Sequence, residues 1–482
     1  MSNLLRKPWF SALAVLAIAS LVSVLYFQEL MLTPGLKSPT FGGDGLTIHY
    51  NLQYHATYGE GAYLTSQYHP YAESVFMTDA HALLAVVFAW LRPVFPGLAD
   101  HASGIANFLI FWSTPVAVLF LFLTFRQLKV KWAFSLVFSL FIALMSPQIL
   151  RQLGGQYTLG FTWLLPYVIW YVFTWNDGKR YWLKSLILTG IIFLLGLNNP
   201  YLYAIAGAFL LAVSGISVLV RLTGNQSVSW SQIGYWLAVF AGSTAAVFLT
   251  LEAYDVVEDR VEVPFGFFHN IATWGGLLSS QDVLLYDWIH RVFPGLATPK
   301  HEHQLYLGLV PILFVLALPF LLFLPRLRKR FGWHQQTLVL VTLVGGLAGM
   351  IFGFGLPFSY FKYWTYDHLG AVLQFRAPVR FGWPLYYLLG IVAGYGLSQL
   401  WELKRKRTLA RTLARTSFMS ASGGGSICQM PEEKSSMRMN ETSALRRCSL
   451  SQGVGTKVNR VIKPPSLWSS VVWACEENRS AP

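Results

Sequence analysis

GIANFLIFWSTPVAVLFLFLTF, Gly104–Phe125, carries no charged side chain, and its length decides the fold. A helix rising ~1.5 Å per residue needs about 20 apolar residues to cross roughly 30 Å of hydrocarbon. Nine other stretches read the same way: Pro8–Gln28, Trp132–Ile149, Leu159–Trp175, Tyr181–Leu197, Tyr201–Val220, Ile233–Leu251, Leu305–Leu324, Thr337–Phe358 and Phe381–Trp401. Composition agrees, with 54% hydrophobic and 12% charged residues and a mean hydropathy of +0.46, where a soluble domain is about a quarter charged. The expected fold is an all-α polytopic membrane protein of about ten transmembrane helices.

Lys and Arg near span ends favour the cytoplasmic side. With the N-terminus inside, the inner loops collect Arg6, Lys7, Arg126, Lys129, Lys131, Lys179, Arg180, Lys184, Arg221, RLRKR at 326–330 and KRKR at 404–407. Two large outer loops remain, 29–103 and 252–304. The apolar run Ala80–Val94 would invert every later loop if it crossed, so it reads as a helix on the outer membrane surface, with Trp90 and Arg92 at the interface. The first span resembles a secretory signal at Arg6-Lys7 and Ala17-Ile18-Ala19, yet stays apolar to Phe27, which predicts a retained anchor.

The expected transmembrane domain is 1–403, followed by a basic, disordered tail, 404–482. That tail holds 14 basic against 5 acidic residues, so +9 of the formal +14 belongs to it, and it holds all three cysteines. The net charge is therefore topological plus tail charge and predicts no nucleic-acid partner. The abrupt loss of aromatic residues predicts an end that is out of frame or truncated.

The first outer loop concentrates chemistry: Asp44, His49, His55, Glu60, His69, Glu73, Asp79 and His81 stand among many tyrosines. Asp44 suits an N-cap after Gly42-Gly43 and equally a catalytic acid. A helix over Gly45–Tyr58 puts Tyr50, Tyr54 and Tyr58 on one stripe. It turns His49 and His55 about 240° apart, so they cannot share one ion. A single Asp44 ligand with His69 or His81 would hold Mg²⁺ or Mn²⁺ loosely. Thr78 and Asp79 suit the start of the surface helix. Glu73 is an acid candidate with less of a capping explanation.

Elsewhere, Arg151 and Gln156 in RQLGGQYTLG (151–160) would line an outer vestibule or meet lipid phosphate. LNNPYLY (197–203) reads as a tight turn. His301-Glu302-His303 resembles a metal pair whose members point apart on a helix. Arg376 and Arg380, flanking Ala377-Pro378, present guanidinium forks suited to phosphate, or anchor to lipid headgroups.

FGGDG at 41–45, HPYAESVFMTDAHALL at 69–84, RQLGGQYTLG and LQFRAPVRFGW at 373–383 together resemble the GT-C superfamily of membrane glycosyltransferases, in its bacterial YfhO-related branch. The resemblance implies an N-in bundle in the bacterial inner membrane with its active face periplasmic, transferring sugar from a polyprenyl-phosphate donor to a glycan, lipid or protein acceptor. It implies Asp44 as the essential acid and, by position, Arg376 or Arg380 as a donor-phosphate contact. From the outer polar residues themselves, Glu73 and Asp79 are further acid candidates, and His49, His55, His81, Arg151, Gln156, Arg376 and Arg380 are the candidate substrate contacts. The chain departs from the superfamily pattern in having Asp44-Gly45 where an acidic doublet is usual. The alternative expectation is a non-catalytic transporter or lipid- or glycan-handling protein; transporters place polar groups at the bilayer midplane, whereas here they lie in the outer loops.

Overall fold

A computed structural model describes residues 7–36, 43–66, 72–174, 180–224, 228–257, 264–279, 288, 291–294, 301–323 and 337–422. The chain is helical throughout this set, apart from one two-stranded hairpin. In chain order the helices begin α1 Pro8–Tyr26, α2 Gln28–Leu32 and α3 Gly43–Tyr58. The hairpin β1 Tyr63–Leu64 and β2 Glu73–Ser74 precedes α4 Ala82–Leu91. There follow α5 Ala102–Gln127, α6 Trp132–Leu144, α7 Pro147–Leu153, α8 Leu164–Phe173, α9 Tyr181–Asn198, α10 Pro200–Leu222 and α11 Trp230–Tyr254. The series closes with α12 Trp274–Leu278, α13 Leu309–Phe323, α14 Thr337–Gly353, α15 Lys362–His368, α16 Gly370–Leu373 and α17 Trp383–Ser422.

Helix occupies each of the ten predicted segments. Six described segments are long and apolar enough to cross a bilayer: Pro8–Tyr26, Pro96–Gln127, Tyr181–Asn198, Pro200–Leu222, Trp230–Tyr254 and Thr337–His368. A seventh arises if α6 and α7, which meet at 46°, form one broken span. The break falls where Ser146 caps α7 by accepting the Gln148 N–H and Pro147 starts the new helix without a donor to lose. Polar groups at the bend are tied to α17, because the Tyr387 hydroxyl lies 2.7 Å from Ser146 Oγ and donates to Gln148 Oε1 at 2.9 Å.

At ten residues, α4 is about 15 Å long and cannot span. Its buried residues Ala82, Ala85, Val86 and Phe88 pack with α3, the hairpin, the start of α5 and Leu197 at the end of α9 in a small second core that includes Leu52, Ala56, Leu64 and Val75. Trp90 is exposed, as expected, but Arg92 is not a lipid anchor: its guanidinium donates to the carbonyls of Thr57 and Gly59 and satisfies the end of α3. The larger core joins α5, α6, α8, α9, α10, α11, α14 and α17, with Trp236, Trp383, Tyr171 and Phe122 wholly enclosed.

The compact unit runs Met1–Ala410, and a second unit begins at Arg411. Against the expectation of a disordered tail from residue 404, α17 continues to Ser422. Thr408-Leu-Ala-Arg-Thr-Leu-Ala-Arg is rich in strong helix formers and extends an existing helix, so it bears no nucleation cost. The rest of the tail lies outside the described residues.

The two ends of the bundle differ. One carries Arg126 at the end of α5, Lys131 and Lys184 at the starts of α6 and α9 and Arg221 at the end of α10, with Lys131 paired to Glu402 midway along α17. The opposite end is formed where α3 starts, α7 ends, α9 turns into α10, and α13 and α17 begin.

Candidate active site

At that opposite end, segments far apart in sequence converge on one polar cluster. Arg151 lies near the end of α7 and is buried, at 2% exposure. The chain then turns through Gly154 and Gly155, the latter at φ +88°, where a side chain would be strained. This tight turn brings the Gln156 N–H back to the Arg151 carbonyl at 3.0 Å and sets the Gln156 amide beside the guanidinium. Gln156 is the hub. Its Oε1 accepts from Arg151 Nη1 at 3.0 Å and Arg380 Nη2 at 3.2 Å, while its Nε2 donates to Glu302 Oε1 at 2.7 Å and Asp44 Oδ2 at 3.4 Å.

Arg380 sits in the 3-10 turn Pro378–Gly382, which Pro378 opens, and is 8% exposed. Its guanidinium lies 4.6 Å over the Tyr201 ring, in cation–π geometry. The Tyr201 hydroxyl in turn accepts the Ala377 N–H at 2.8 Å, so the first residues of α10 fix the turn that carries both arginines. Arg380 is thus no lipid anchor. Arg376, by contrast, is exposed, and its carbonyl is held by Asn270 Nδ2 at 2.9 Å.

Glu302 completes the cluster. Its carboxylate takes Arg151 Nη1 at 3.1 Å on Oε1 and Arg380 Nη2 at 3.1 Å on Oε2. Burial pushes its pKa up, but Arg151, Arg380 and the Gln156 hydrogen bond outweigh this and hold it below the usual carboxylate range. His303 Nε2 lies 2.8 Å from the His269 carbonyl, and the side chain of His301 lies outside the described residues.

Asp44 and Asp79 form the acidic side. Asp44 is exposed and lies inside the first turn of α3, one residue past the helix start, rather than at the cap. The positive end of the helix dipole favours its charge there. Asp79 is not in the first turn of α4 either. The cap of α4 is His81, in a left-handed conformation at φ +48°, and the Thr78 hydroxyl donates to the Val75 carbonyl instead of capping. Asp79 keeps open surface, yet burial raises its carboxyl pKa, reinforced by Asp44 and opposed by Arg380 and Arg376. Both acids and both arginines thus lie near enough to act on one another electrostatically.

Beneath Asp79 lie His81 and His49. His81 is wholly buried, with Nδ1 3.3 Å from Asn198 Nδ2 and Nε2 without a hydrogen-bond partner among the described residues. His49 packs its ring 4.7 Å from Tyr157, and neither nitrogen has a partner in that set. Burial lowers both pKa values, to about 3 for His81, with His49 adding to the effect, and to about 4 for His49. Both rings are neutral at pH 7.

Two candidates stand elsewhere. His55 is wholly buried at the far end of α3, its Nε2 3.0 Å from the Gly61 carbonyl, because eleven residues of helix carry it about 16 Å from Asp44. Glu73 is buried in β2, its Oε1 accepting the Ser74 N–H at 3.0 Å. His69 lies outside the described residues. Sequence reasoning missed Glu302, Tyr201 and Asn198 as partners; the available signal was only an acid before an apolar span and an aromatic after Asn-Asn-Pro.

Among the described residues no three His, Cys, Asp or Glu gather to hold a metal. Asp44 and Asp79 alone make the donor set that Mg²⁺ commonly accepts, one or two carboxylates with water or phosphate completing the shell. They fit a hard cation shared with a substrate and not an all-protein cage.

The fold is similar to that of the archaeal oligosaccharyltransferase AglB from Archaeoglobus fulgidus, solved in complex with an inhibitory peptide and a dolichol-phosphate. Identity is 17% and the TM-score 0.39, covering 89% of this chain and 53% of that one. The chain thus spans about half the length of that protein. No curated protein sequence matches it. Residues 59–414 match the family described as "Domain of unknown function (DUF6311)", and the chain belongs to that family.

Proposed function

We propose that this membrane protein is a glycosyltransferase of the GT-C type, in its YfhO-related branch, with ten spans and an N-terminus inside. It moves a sugar from a polyprenyl-phosphate donor to a hydroxyl-bearing acceptor, a cell-envelope glycan, lipid or protein, at the outer face of the bacterial inner membrane. One observation carries this reading: an acidic pair, Asp44 and Asp79, stands beside an arginine pair, Arg376 and Arg380, with Gln156 bonded to both Asp44 and Arg380. The acceptor oxygen attacks the anomeric carbon of the donor and its proton passes to Asp44. The bond from that carbon to the phosphate oxygen breaks with its electron pair, and Arg376 and Arg380 bind the departing phosphate. Asp79, whose carboxyl is shifted toward neutrality, is the second acid–base group. Asp44 and Asp79 would hold Mg²⁺ or Mn²⁺, a cation that offsets phosphate charge. Arg151, Gln156 and Glu302 position Arg380, and His49 and His81 line the floor.

Asp44→Asn keeps shape and removes the base. In a reconstituted assay with a radiolabelled polyprenyl-phosphate sugar, the variant is expected to lose at least ~100-fold in transfer while expression and membrane insertion stay unchanged. Equal transfer by variant and parent sinks the assignment.

A further inference from the structure

We propose that the basic end of the bundle holds a binding site for the headgroup of an anionic phospholipid, formed where α1 starts, α5 turns into α6 and α17 passes Trp401.

These three segments share one pattern, a tryptophan within three residues of a lysine: Lys7-Pro8-Trp9, Lys131-Trp132 and Trp401-Glu402-Leu403-Lys404-Arg405. Packing brings them together. The Trp132 indole N–H donates to Ser11 Oγ at 2.8 Å, and the Ser11 N–H returns to the Lys7 carbonyl at 3.0 Å. The Phe134 ring, on the same helix as Trp132, lies 5.9 Å from that of Trp401, and Lys131 Nζ meets Glu402 Oε1 at 2.5 Å. Both α1 and α5 belong to segments long and apolar enough to span a bilayer, so the start of the one and the end of the other stand at headgroup level. Tryptophan is enriched at that level, and lysine and arginine reach lipid phosphate there.

The cations are not equivalent. Lys131 is neutralised by Glu402, and Arg126 closes the α5–α6 turn by donating to the Val130 carbonyl. Val130 is buried in the larger core, while Lys129 and Lys131, its neighbours on either side, are exposed. Lys7, Lys129, Lys404 and Arg405 are all exposed, and none pairs with an acid among the described residues. Beside them stand two bare indoles, Trp9 at 60% exposure and Trp401 at 55%. Free cations next to uncovered apolar rings match an amphiphile with a negative head: ammonium and guanidinium groups donate to the phosphate, and the rings lie against the glycerol and upper chains. An acidic soluble partner would satisfy the charges and leave the apolar bodies of the indoles in water.

The test uses the full chain in a neutral detergent, titrated with phosphatidylglycerol, phosphatidylcholine or sn-glycerol 3-phosphate and read by shifts of thermal unfolding. A basic side chain near a negative headgroup strengthens binding about fivefold. Phosphatidylglycerol is therefore expected to bind at least ~tenfold tighter than either other probe. Equal binding of phosphatidylcholine overturns the charge recognition, and equal binding of sn-glycerol 3-phosphate overturns the lipid as its source. The double variant Lys404→Gln, Arg405→Gln changes two exposed positions; it is expected to keep the unfolding temperature of the parent without lipid while the preference falls toward one. An unchanged preference there overturns the assignment of these residues. Lys184→Gln removes a cation that lies 5.5 Å over the Trp170 ring at the same end, and is expected to leave the preference intact. An equal loss in that variant means diffuse attraction by the whole basic end and overturns the site.

Discussion

The arginines at the two ends of the bundle do different work with the same side chain. At the basic end, Arg126 donates to the carbonyl of Val130, four residues away, and Arg221 donates to Val228 at 2.6 Å while lying 5.1 Å over the ring of Trp230. Each finishes its own helix. At the other end, Arg151 reaches Glu302 and Arg380 reaches Gln156, pairs separated by more than a hundred residues. Local arginines complete turns, whereas the distant pair assembles a site and must be neutralised because it is buried.

The sharpest way to break this contrast is to remove one member of the buried set. Arg151→Met leaves Glu302 short of one cation, and removal of one partner of a buried pair costs about 3–5 kcal/mol. Arg126→Met loses a charge-assisted bond to a carbonyl, roughly 1–2 kcal/mol. Thermal or denaturant unfolding of the two variants in one detergent compares them; equal losses would erase the distinction.

A second difference appears with acid. His49 and His81 have folded pKa values of about 4 and about 3, depressed from 6.5. Below pH 6.5 the unfolded chain binds protons that the folded chain refuses, so their contribution is full above that pH. It is lost progressively from pH 6.5 down to about 4 for His49 and about 3 for His81, at up to ~1.4 kcal/mol per pH unit for each ring. Unfolding free energy measured from pH 7 to 4 is expected to decline, and His49→Phe to flatten the decline. An unaltered slope in that variant would take His49 out of the account.

The smallest effect belongs to the basic end. Lys131 pairs with Glu402, half exposed on the lysine side, and such pairs contribute ~0.2–1 kcal/mol. Lys131→Met is expected to shift unfolding by no more than this, and less in high salt.

Periodicity and apolar length made the helices legible. The tyrosine stripe was also foreseen, with ring centroids 5.9 Å apart for Tyr50–Tyr54 and 5.2 Å for Tyr54–Tyr58. So was the short α4, because a crossing there would have contradicted the charge pattern. Of the site, Asp44, Asp79, His49, His81, Arg151, Gln156, Arg376 and Arg380 were readable as polar groups stranded next to apolar spans. Glu302 was not. Its meaning depends on two arginines brought in by other helices, and no local spacing encodes that. The described bonds of His55 and Glu73 are local instead, to the Gly61 carbonyl after α3 and to the N–H of the next residue, Ser74, in β2.

The two small and large cores have a mechanical consequence. Asp79 and most of α3 ride on the minor core, whereas Arg151 and Arg380 are braced against the major one through Tyr387 on α17 and the bend before α7. Between the two cores, direct side-chain bonds run from Gln156 to Asp44 at 3.4 Å and between His81 Nδ1 and Asn198 Nδ2 at 3.3 Å. The acidic and the basic groups therefore meet where two cores adjoin within one compact unit, so repacking either core shifts one side of the cluster against the other.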